Sequence, residues 1–302
     1  MTKNKGLDLV LVMCPGWGVT QPPVGISYLK SFLEKHEIRV KCLDLSLELY
    51  KVFPEKKYWD LNYPEHFITP QLFKKDVTPI LNPYIKIWAE EILGYNPRII
   101  GFSLFMSSLN TSLLLAGYLK KLEPDLIIIG GGAEITRARR VFVDGINRFA
   151  PLDINIISGK FFDVLVEGEG EESALEIISL IREKEDFYKV KGTLYSKNGK
   201  FVANETRTLM HDLDELPPPD YSDFGLESYT KKSLPLVTSR GCINRCTFCA
   251  DSPLWKTYRY RSAEKVLEEI KSAIDRYGRN EFEIVDSTFN GDIQRVEKIC
   301  QR

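Results

Sequence analysis

The sequence predicts an α/β protein: a doubly wound, flavodoxin-like (Rossmann-like) parallel sheet over residues 1–186, a connector, and then a second, shorter set of strand and helix units. Three observations carry this. Short apolar runs alternate with segments of helical periodicity, small residues cluster just after those runs, and Pro217-Pro218-Pro219 interrupts the pattern. Helices alternating with strands cover both faces of a parallel sheet, and ligands on such sheets bind beyond the carboxyl ends of the strands.

Leu7 to Met13 is a continuous apolar run, as expected for a strand buried on both faces. Pro22 and Pro23 then open a helix with Tyr28, Leu29, Phe32 and Leu33 on one side. Ile38 to Leu43 is the second strand and Arg98 to Leu104 the third, followed by a helix carrying Leu113, Leu114, Tyr118 and Leu119. Leu126 to Ile129 is the fourth, ahead of Gly130-Gly131-Gly132. Phe162 to Val166 is the fifth and leads through Glu167-Gly168-Glu169-Gly170 into a helix from about Glu171 to Lys184. The stretch 46–82 is too long for a plain connection and holds Phe53, Tyr58, Trp59, Tyr63, Phe67 and Phe73; it reads either as a substrate-facing lid or as a local core over the sheet edge. Gly192 to Val202, with Asn198-Gly199 at its middle, reads as a hairpin, and the three prolines as a stiff, extended segment. The expected divisions are therefore 1–186, a hairpin and Pro-rich linker over 187–230, and 231–302.

The small residues fall on one rim: Pro15, Gly16 and Gly18 after the first strand, Ser103 and Leu104 at the third, Gly131 and Gly132 after the fourth, and Glu167, Gly168 and Glu169 after the fifth. Four such loops together predict a pocket. Gly16-x-Gly18 and Gly168-x-Gly170 both lack the third glycine of a dinucleotide fingerprint, with Gln21 and Ser173 in its place, which disfavours nicotinamide binding. Glu167, Glu169, Glu171 and Glu172 read as carboxylates favoured at a helix N-terminus rather than as a metal site.

Composition narrows the function classes. The chain has 302 residues, 41 Lys+Arg against 42 Asp+Glu and 43% hydrophobic residues, which suits two folded domains and excludes a bulk-basic nucleic-acid binder. Arg259 and Arg261, interleaved with Tyr258 and Tyr260, read as a solvated face. No apolar run approaches the ~18 residues of a membrane span, and the polar N-terminus has no signal-peptide pattern, so a cytoplasmic protein is expected. The three histidines, His36, His66 and His211, are scattered, which disfavours a multi-His zinc or copper site.

Of six cysteines, three lie together as Cys242-x3-Cys246-x2-Cys249, directly after the strand-like Leu234 to Thr238 and the segment Ser239-Arg240-Gly241. Three thiolates on one loop can ligate three irons of a cubane cluster and leave the fourth open. A closed zinc site needs a fourth ligand, and Cys300 and His211 are far away; a thioredoxin-like pair would leave Cys242 unexplained. Cys14, Cys42 and Cys300 read as ordinary buried thiols. Downstream, Ser262 caps a helix that stops at Gly278, and Phe282 to Val285 is a further strand with Asp286 and Asn290 at or beyond its carboxyl end.

The C-x3-C-x2-C spacing after a strand, with Phe248 just before the third cysteine, resembles the signature of the radical S-adenosylmethionine superfamily. Pro22-Pro23-x-Gly25-x-x-Tyr28-Leu29, Gly130-Gly131-Gly132, Val166-Glu-Gly-Glu-Gly-Glu171 and Leu216-Pro-Pro-Pro-Asp-Tyr221 resemble its cobalamin-binding-domain subfamily, so that the likeness covers nearly the whole chain. The resemblance implies a 4Fe-4S cluster on Cys242, Cys246 and Cys249, S-adenosylmethionine on its open iron with Phe248 near the adenine, and cobalamin on the rim loops named above. Asp286 then reads either as a contact to the nucleoside or as a strand-end cap. The implied chemistry is reductive cleavage of the sulfonium and hydrogen abstraction by a 5′-deoxyadenosyl radical, with methyl transfer to an unactivated carbon as one outcome and rearrangement or cyclisation as another. The alternative is a non-catalytic corrinoid- or cluster-binding module. A small-molecule or biosynthetic-intermediate substrate and an electron donor such as flavodoxin or ferredoxin are the implied partners; no residue is assigned as catalytic. No His stands in a D-x-H-x-x-G context, since Pro64 precedes His66 and Glu34 precedes His36 at the Asp position. Only about 60 residues follow Gly241, against ~250 for a full barrel, so the sequence is expected to hold the first strand–helix units of an incomplete radical S-adenosylmethionine (β/α) barrel.

Overall fold

The computed structural model describes residues 6–53, 55–59, 65–142, 160–198, 200–247, 249, 255 and 257–301. Its centre is a seven-stranded sheet. β1 (Leu9–Met13), β2 (Val40–Asp44), β3 (Ile99–Ser103), β4 (Ile127–Gly131) and β5 (Val164–Val166) run parallel in the order β2-β1-β3-β4-β5, the flavodoxin-like order. β6 (Thr193–Lys197) and β7 (Lys200–Ala203) continue the sheet antiparallel beyond β5. The hairpin expected in the connector is thus part of the sheet: it covers the edge that β5 would otherwise expose.

Alternation along the strands sorts the core into two layers. Val10, Val12, Ile100, Phe102 and Ile128 point to one face and meet Ile85, Trp88 and Ile92 of α5 (Thr78–Gly94) and Leu115 and Leu119 of α6 (Leu109–Leu122). Leu9, Leu11, Met13, Ile99, Ile129 and Val164 point to the other and meet Ile26, Phe32 and Leu33 of α1 (Val24–Lys35) and Ala174, Ile177 and Ile178 of α8 (Glu171–Glu183). Burying each such side chain contributes about 1.5–3 kcal/mol, which is why a run apolar at every position is stable only here. The long stretch after β2 is helical: α2 (Leu45–Val52), a 3-10 turn at Lys56–Trp59, α3 (Glu65–Ile68), α4 (Pro70–Leu72) and a π turn at Phe73–Val77 lead into α5. Phe53, Phe67 and Phe73 are buried in the first layer and Trp59 packs edge-on to Phe53 and Phe67, the local core of the two readings; Tyr63 lies outside the described residues. α7 (Ala133–Phe142) follows β4.

The second unit is small. β8 (Leu234–Leu236) pairs in parallel with β11 (Phe282–Ile284) across α9 (Ala263–Tyr277), while β9 (Ser239–Arg240) and β10 (Arg259–Tyr260) form an antiparallel ribbon flanking the cysteine loop. Ser262 caps α9 by accepting from the Lys265 N–H at 3.2 Å, and Gly278 ends it in the left-handed region, both as the sequence indicates. α10 (Ile293–Cys300) closes the described chain.

Polar groups dock this unit onto α1. The Pro-rich segment is a strap: Asp220 accepts from Arg276 at 2.5 Å and lies 3.3 Å from Lys30, while Asp223 accepts from Lys30 and Lys41, each at 2.8 Å, and from the Cys42 N–H at 2.9 Å. Tyr28 lies 2.7 Å from both carboxylate oxygens of Glu269, which also binds Arg261. All three are buried. Arg261 is therefore not on a solvated face; its guanidinium is the cationic centre of the interface. No described helix is long and apolar enough to cross a membrane.

Candidate functional site

The rim is built from loops that lock one another. Gly16 has φ +100°, and a Cβ there would stand 2.0 Å from the Ser107 carbonyl; at Gly132, φ +108°, it would stand 2.7 Å from that of Leu104. These glycines let the loops after β1 and β4 close against the loop after β3. Gly18 and Gly168 differ: a Cβ on either would meet no atom within 4 Å, so the backbone is open there to a ligand. Gly131, at the end of β4, is nearly as open, with Val166 at 3.8 Å. Pro15 is buried and bridges to Trp17, and Ser103 ends β3 part-exposed. Leu104, expected to line the pocket, is fully buried and packs over Gly130.

Sequence reasoning missed the rim's aromatic pair. Trp17 and Phe105 stand with ring centroids 4.1 Å apart, and Ser46 links them to the helical insertion by donating to the Trp17 carbonyl at 2.7 Å while accepting from Trp59 Nε1 at 3.1 Å. His66, in that insertion, is held by Asp76 at 3.0 Å.

The acidic run after β5 has a different role from the one expected. Glu167 pairs with Arg139 at 3.0 Å. Glu169 accepts from Arg240 at 2.6 Å, from Arg259 at 3.0 Å and from the Met210 N–H at 2.7 Å; Glu171 accepts from Arg240 at 2.5 Å. The Glu169, Glu171, Arg240 and Arg259 side chains are about nine-tenths buried or more, and Trp255 faces both guanidinium groups at 5.8 and 6.0 Å. Burial alone would push the Glu169 carboxyl up, but Arg240 and Arg259 outweigh it and hold it below the usual range. Glu167 and Glu169 thus spend their carboxylates on arginines rather than on a pocket, and Arg259, read as solvated, is buried with them. This clamp ties the rim to the residue two before the first cysteine.

Gly241 follows, with φ +88° and a Cβ position 2.3 Å from the Thr257 carbonyl, so that only glycine fits between Arg240 and Cys242. Cys246 is exposed and Cys242 and Cys249 part-exposed, and none of the three is in a disulfide. Among the described residues no three metal-ligating side chains are drawn into a closed site. As a donor set, three cysteine sulfurs on one loop fit a cluster held by three cysteines. Phe248 lies outside the described residues. Cys14 and Cys42 are buried, whereas Cys300 is exposed, against expectation.

At the carboxyl ends of β8 and β11 lies a closely bonded polar group. Asp286 accepts from the Thr238 N–H at 2.7 Å, from Thr238 Oγ1 at 2.5 Å and from Ser239 Oγ at 2.8 Å, and so ties the two strand ends together. Arg295 of α10, buried, donates to Thr238 and to the carbonyls of Arg261 and Phe289. The Ser239 hydroxyl reaches the Thr288 carbonyl at 3.0 Å, and Thr288 Oγ1 lies 2.6 Å from Cys242 Sγ.

No family model matches the chain. It is 26% identical over 290 residues to an uncharacterised methyltransferase of Pyrococcus horikoshii, covering 94% of this chain and 53% of that protein. It is 22% identical over 313 residues to the cytidylyl-2-hydroxyethylphosphonate methyltransferase of Streptomyces wedmorensis, covering 92% and 53%. An anaerobic magnesium-protoporphyrin IX monomethyl ester cyclase of Rubrivivax gelatinosus is 26% identical over 206 residues, 65% of this chain and 35% of the cyclase. The chain spans about half the length of the two methyltransferases and about a third of that of the cyclase. Among solved structures, the radical S-adenosylmethionine methyltransferase TsrM of Kitasatospora setae superposes with TM-score 0.65 at 18% identity, covering 97% of this chain and 50% of TsrM. The cobalamin-dependent radical enzyme OxsB gives 0.66 at 20%, covering 98% and 37%. The chain thus shares its fold with solved cobalamin-dependent radical S-adenosylmethionine enzymes, and its sequence is similar to those of methyltransferases and an anaerobic cyclase.

Proposed function

We propose that this chain is the corrinoid-binding and cluster-bearing portion of a radical S-adenosylmethionine enzyme, with methyl transfer to an unactivated carbon as the reaction class its relatives' names favour. The observation that carries this reading is the placement of the C-x3-C-x2-C loop: Arg240, two residues before Cys242, is clamped to the rim of a β2-β1-β3-β4-β5 sheet. Cys242, Cys246 and Cys249 would hold a 4Fe-4S cluster, with Phe248 beside the adenine of S-adenosylmethionine. Gly18, Gly131 and Gly168 would meet cobalamin across the open part of the rim. When bound, the cluster supplies the electron that cleaves the sulfonium and the corrinoid carries the methyl group.

The chain's own residues position these groups. Arg240 and Arg259 fix the root of the cysteine loop, Gly16 and Gly132 close the rim loops, and Asp286 ties the ends of β8 and β11. β8, α9 and β11 are the opening of a (β/α) barrel, and the first domain extends through the hairpin to Ala203. A cytoplasmic setting, a small-molecule substrate and an electron donor of the flavodoxin or ferredoxin type follow from the same reading.

Anaerobic reconstitution tests it. The expected result is iron uptake lost in Cys242→Ala, a change in the electron paramagnetic resonance of the reduced cluster on adding S-adenosylmethionine, and saturable corrinoid binding. Iron uptake without that change and without deoxyadenosine would favour a non-catalytic binding module; no iron uptake by the wild type would overturn the reading.

A further inference from the structure

We propose that Thr288 is a positioning residue for the iron–sulfur centre: its hydroxyl is placed to donate to the sulfur of Cys242 once that sulfur is a metal-bound thiolate. The inference rests on the cluster reading above. Thr288 Oγ1 lies 2.6 Å from Cys242 Sγ and 2.8 Å from the Ser287 carbonyl oxygen.

A hydroxyl has one proton, so it cannot serve both neighbours at once. With Cys242 as a thiol, the hydroxyl proton is divided between the Ser287 carbonyl and the sulfur, which also accepts from the Asn244 N–H at 3.4 Å. Ligation removes the sulfur's proton and leaves an anionic acceptor. The hydroxyl then rotates from Ser287 to the sulfur, a movement about one bond that needs no shift of backbone.

The backbone is indeed held. The Thr288 carbonyl lies 3.0 Å from Ser239 Oγ, whose hydroxyl donates to Asp286 at 2.8 Å. Asp286 is fixed by Thr238, and Arg295 fixes Thr238 in turn. Thr288 comes from the segment after β11 and Cys242 from the loop after β9, so this contact joins the two strand-end loops at the cluster. Hydrogen bonds to a cluster's sulfurs withdraw electron density and raise its reduction potential. Thr288 would therefore bring the centre within easier reach of its electron donor.

Two measurements on Thr288→Val and Thr288→Ser test this. On the reconstituted chain, redox titration followed by electron paramagnetic resonance should give Thr288→Val a more negative midpoint potential than wild type at equal iron content, with Thr288→Ser restoring the wild-type value. On the unloaded chain, infrared difference spectra against Cys242→Ala should show the Cys242 S–H stretch moving to higher frequency in Thr288→Val and not in Thr288→Ser. An unchanged potential at equal iron content, or an unchanged S–H band, would overturn the assignment. The unloaded measurement stands even if the wild type takes up no iron, so failure of the cluster reading and failure of this contact remain distinct.

Discussion

The sheet of the first domain and the interface that docks the second unit onto it share one apolar layer, but the interface adds buried charge to it. Along β1 every residue from Leu9 to Met13 is buried between two helical layers, and the contacts are apolar and non-directional. Across the interface Leu216, Tyr221, Leu234 and Ala273 continue the apolar layer, and buried polar groups join it: Tyr28, Arg261 and Glu269 at one point and Arg240, Arg259, Glu169 and Glu171 at another. An apolar core tolerates repacking, whereas a buried ion pair is stable only with both partners in register. The difference assigns tasks: burial supplies the stability of the sheet, and charge fixes where the cysteine loop sits relative to the rim.

The largest expected effect breaks one of those pairs. Glu269→Ala should cost about 3–5 kcal/mol in denaturant unfolding, because it strands the Arg261 guanidinium in an interior where that residue is 1% exposed. Replacing the whole group by Tyr28→Phe, Arg261→Met and Glu269→Leu should recover most of that loss, since no charge is then left unpaired. A single variant no more harmful than an exposed substitution would erase the contrast between the two regions.

A middle effect is pH-dependent and sits where the strap meets the rim. Asp44 caps α2 through the Ser46 and Leu47 N–H groups, each at 3.1 Å, and accepts from Tyr229 of the strap at 2.7 Å. Burial pushes its carboxyl up to about 6 from 3.8, against the opposing pull of those donors. The folded state therefore binds this proton more tightly than the unfolded chain does, and the resulting stability is lost as pH rises from about 4 through 6. Asp44→Asn keeps the cap and removes the titration. Its stability relative to wild type should rise by roughly 2 kcal/mol between pH 4 and pH 7, measured as the difference between two unfolding series. A constant difference would show that Asp44 is not charged at a cost in this interface.

The smallest effect marks the boundary of the ionic region. Lys231 and Glu283 form a 2.7 Å pair, but their side chains are 50% and 45% exposed. Lys231→Ala should change stability by no more than about 0.5 kcal/mol, and that little should vanish in high salt. A loss comparable to that of Glu269→Ala would mean that exposure does not divide the pairs that matter from those that do not.

The same contrast explains what was legible in the sequence. β1 and β3 stand out because a run apolar at every position has few other uses, and Cys242, Cys246 and Cys249 because thiols at that spacing have few innocent ones. Ser262 and Gly278 announce α9 by local chemistry alone. The interface leaves no such mark. Arg259 and Arg261 look like any exposed pair until residues some 90 and 8 positions away, Glu169 and Glu269, supply their counter-charges. The acidic run at Glu167 to Glu171 satisfies a general rule about helix N-termini, so its long-range partners were hidden behind a sufficient local reason. The hairpin was visible as a hairpin, but which strand it joins is a pairing between Leu165 and Leu194 that no local pattern encodes. Leu104 shows the reverse: it sits in a rim segment by position, yet its side chain belongs to the core.

Tyr28 and Glu269 stand 241 residues apart in the chain. A ribosome adding ~5–20 residues each second delivers the second partner roughly 10–50 s after the first. Within that interval the sheet through the hairpin can form, with the hydroxyl of Tyr28 and the ammonium of Lys30 facing water instead of their eventual partners. A purely apolar docking face would spend the same interval as an adhesive surface, open to other nascent chains. The hydroxyl of Tyr28 and the ammonium of Lys30 make the waiting face partly polar, and the later carboxylates of Asp220, Asp223 and Glu269 complete it.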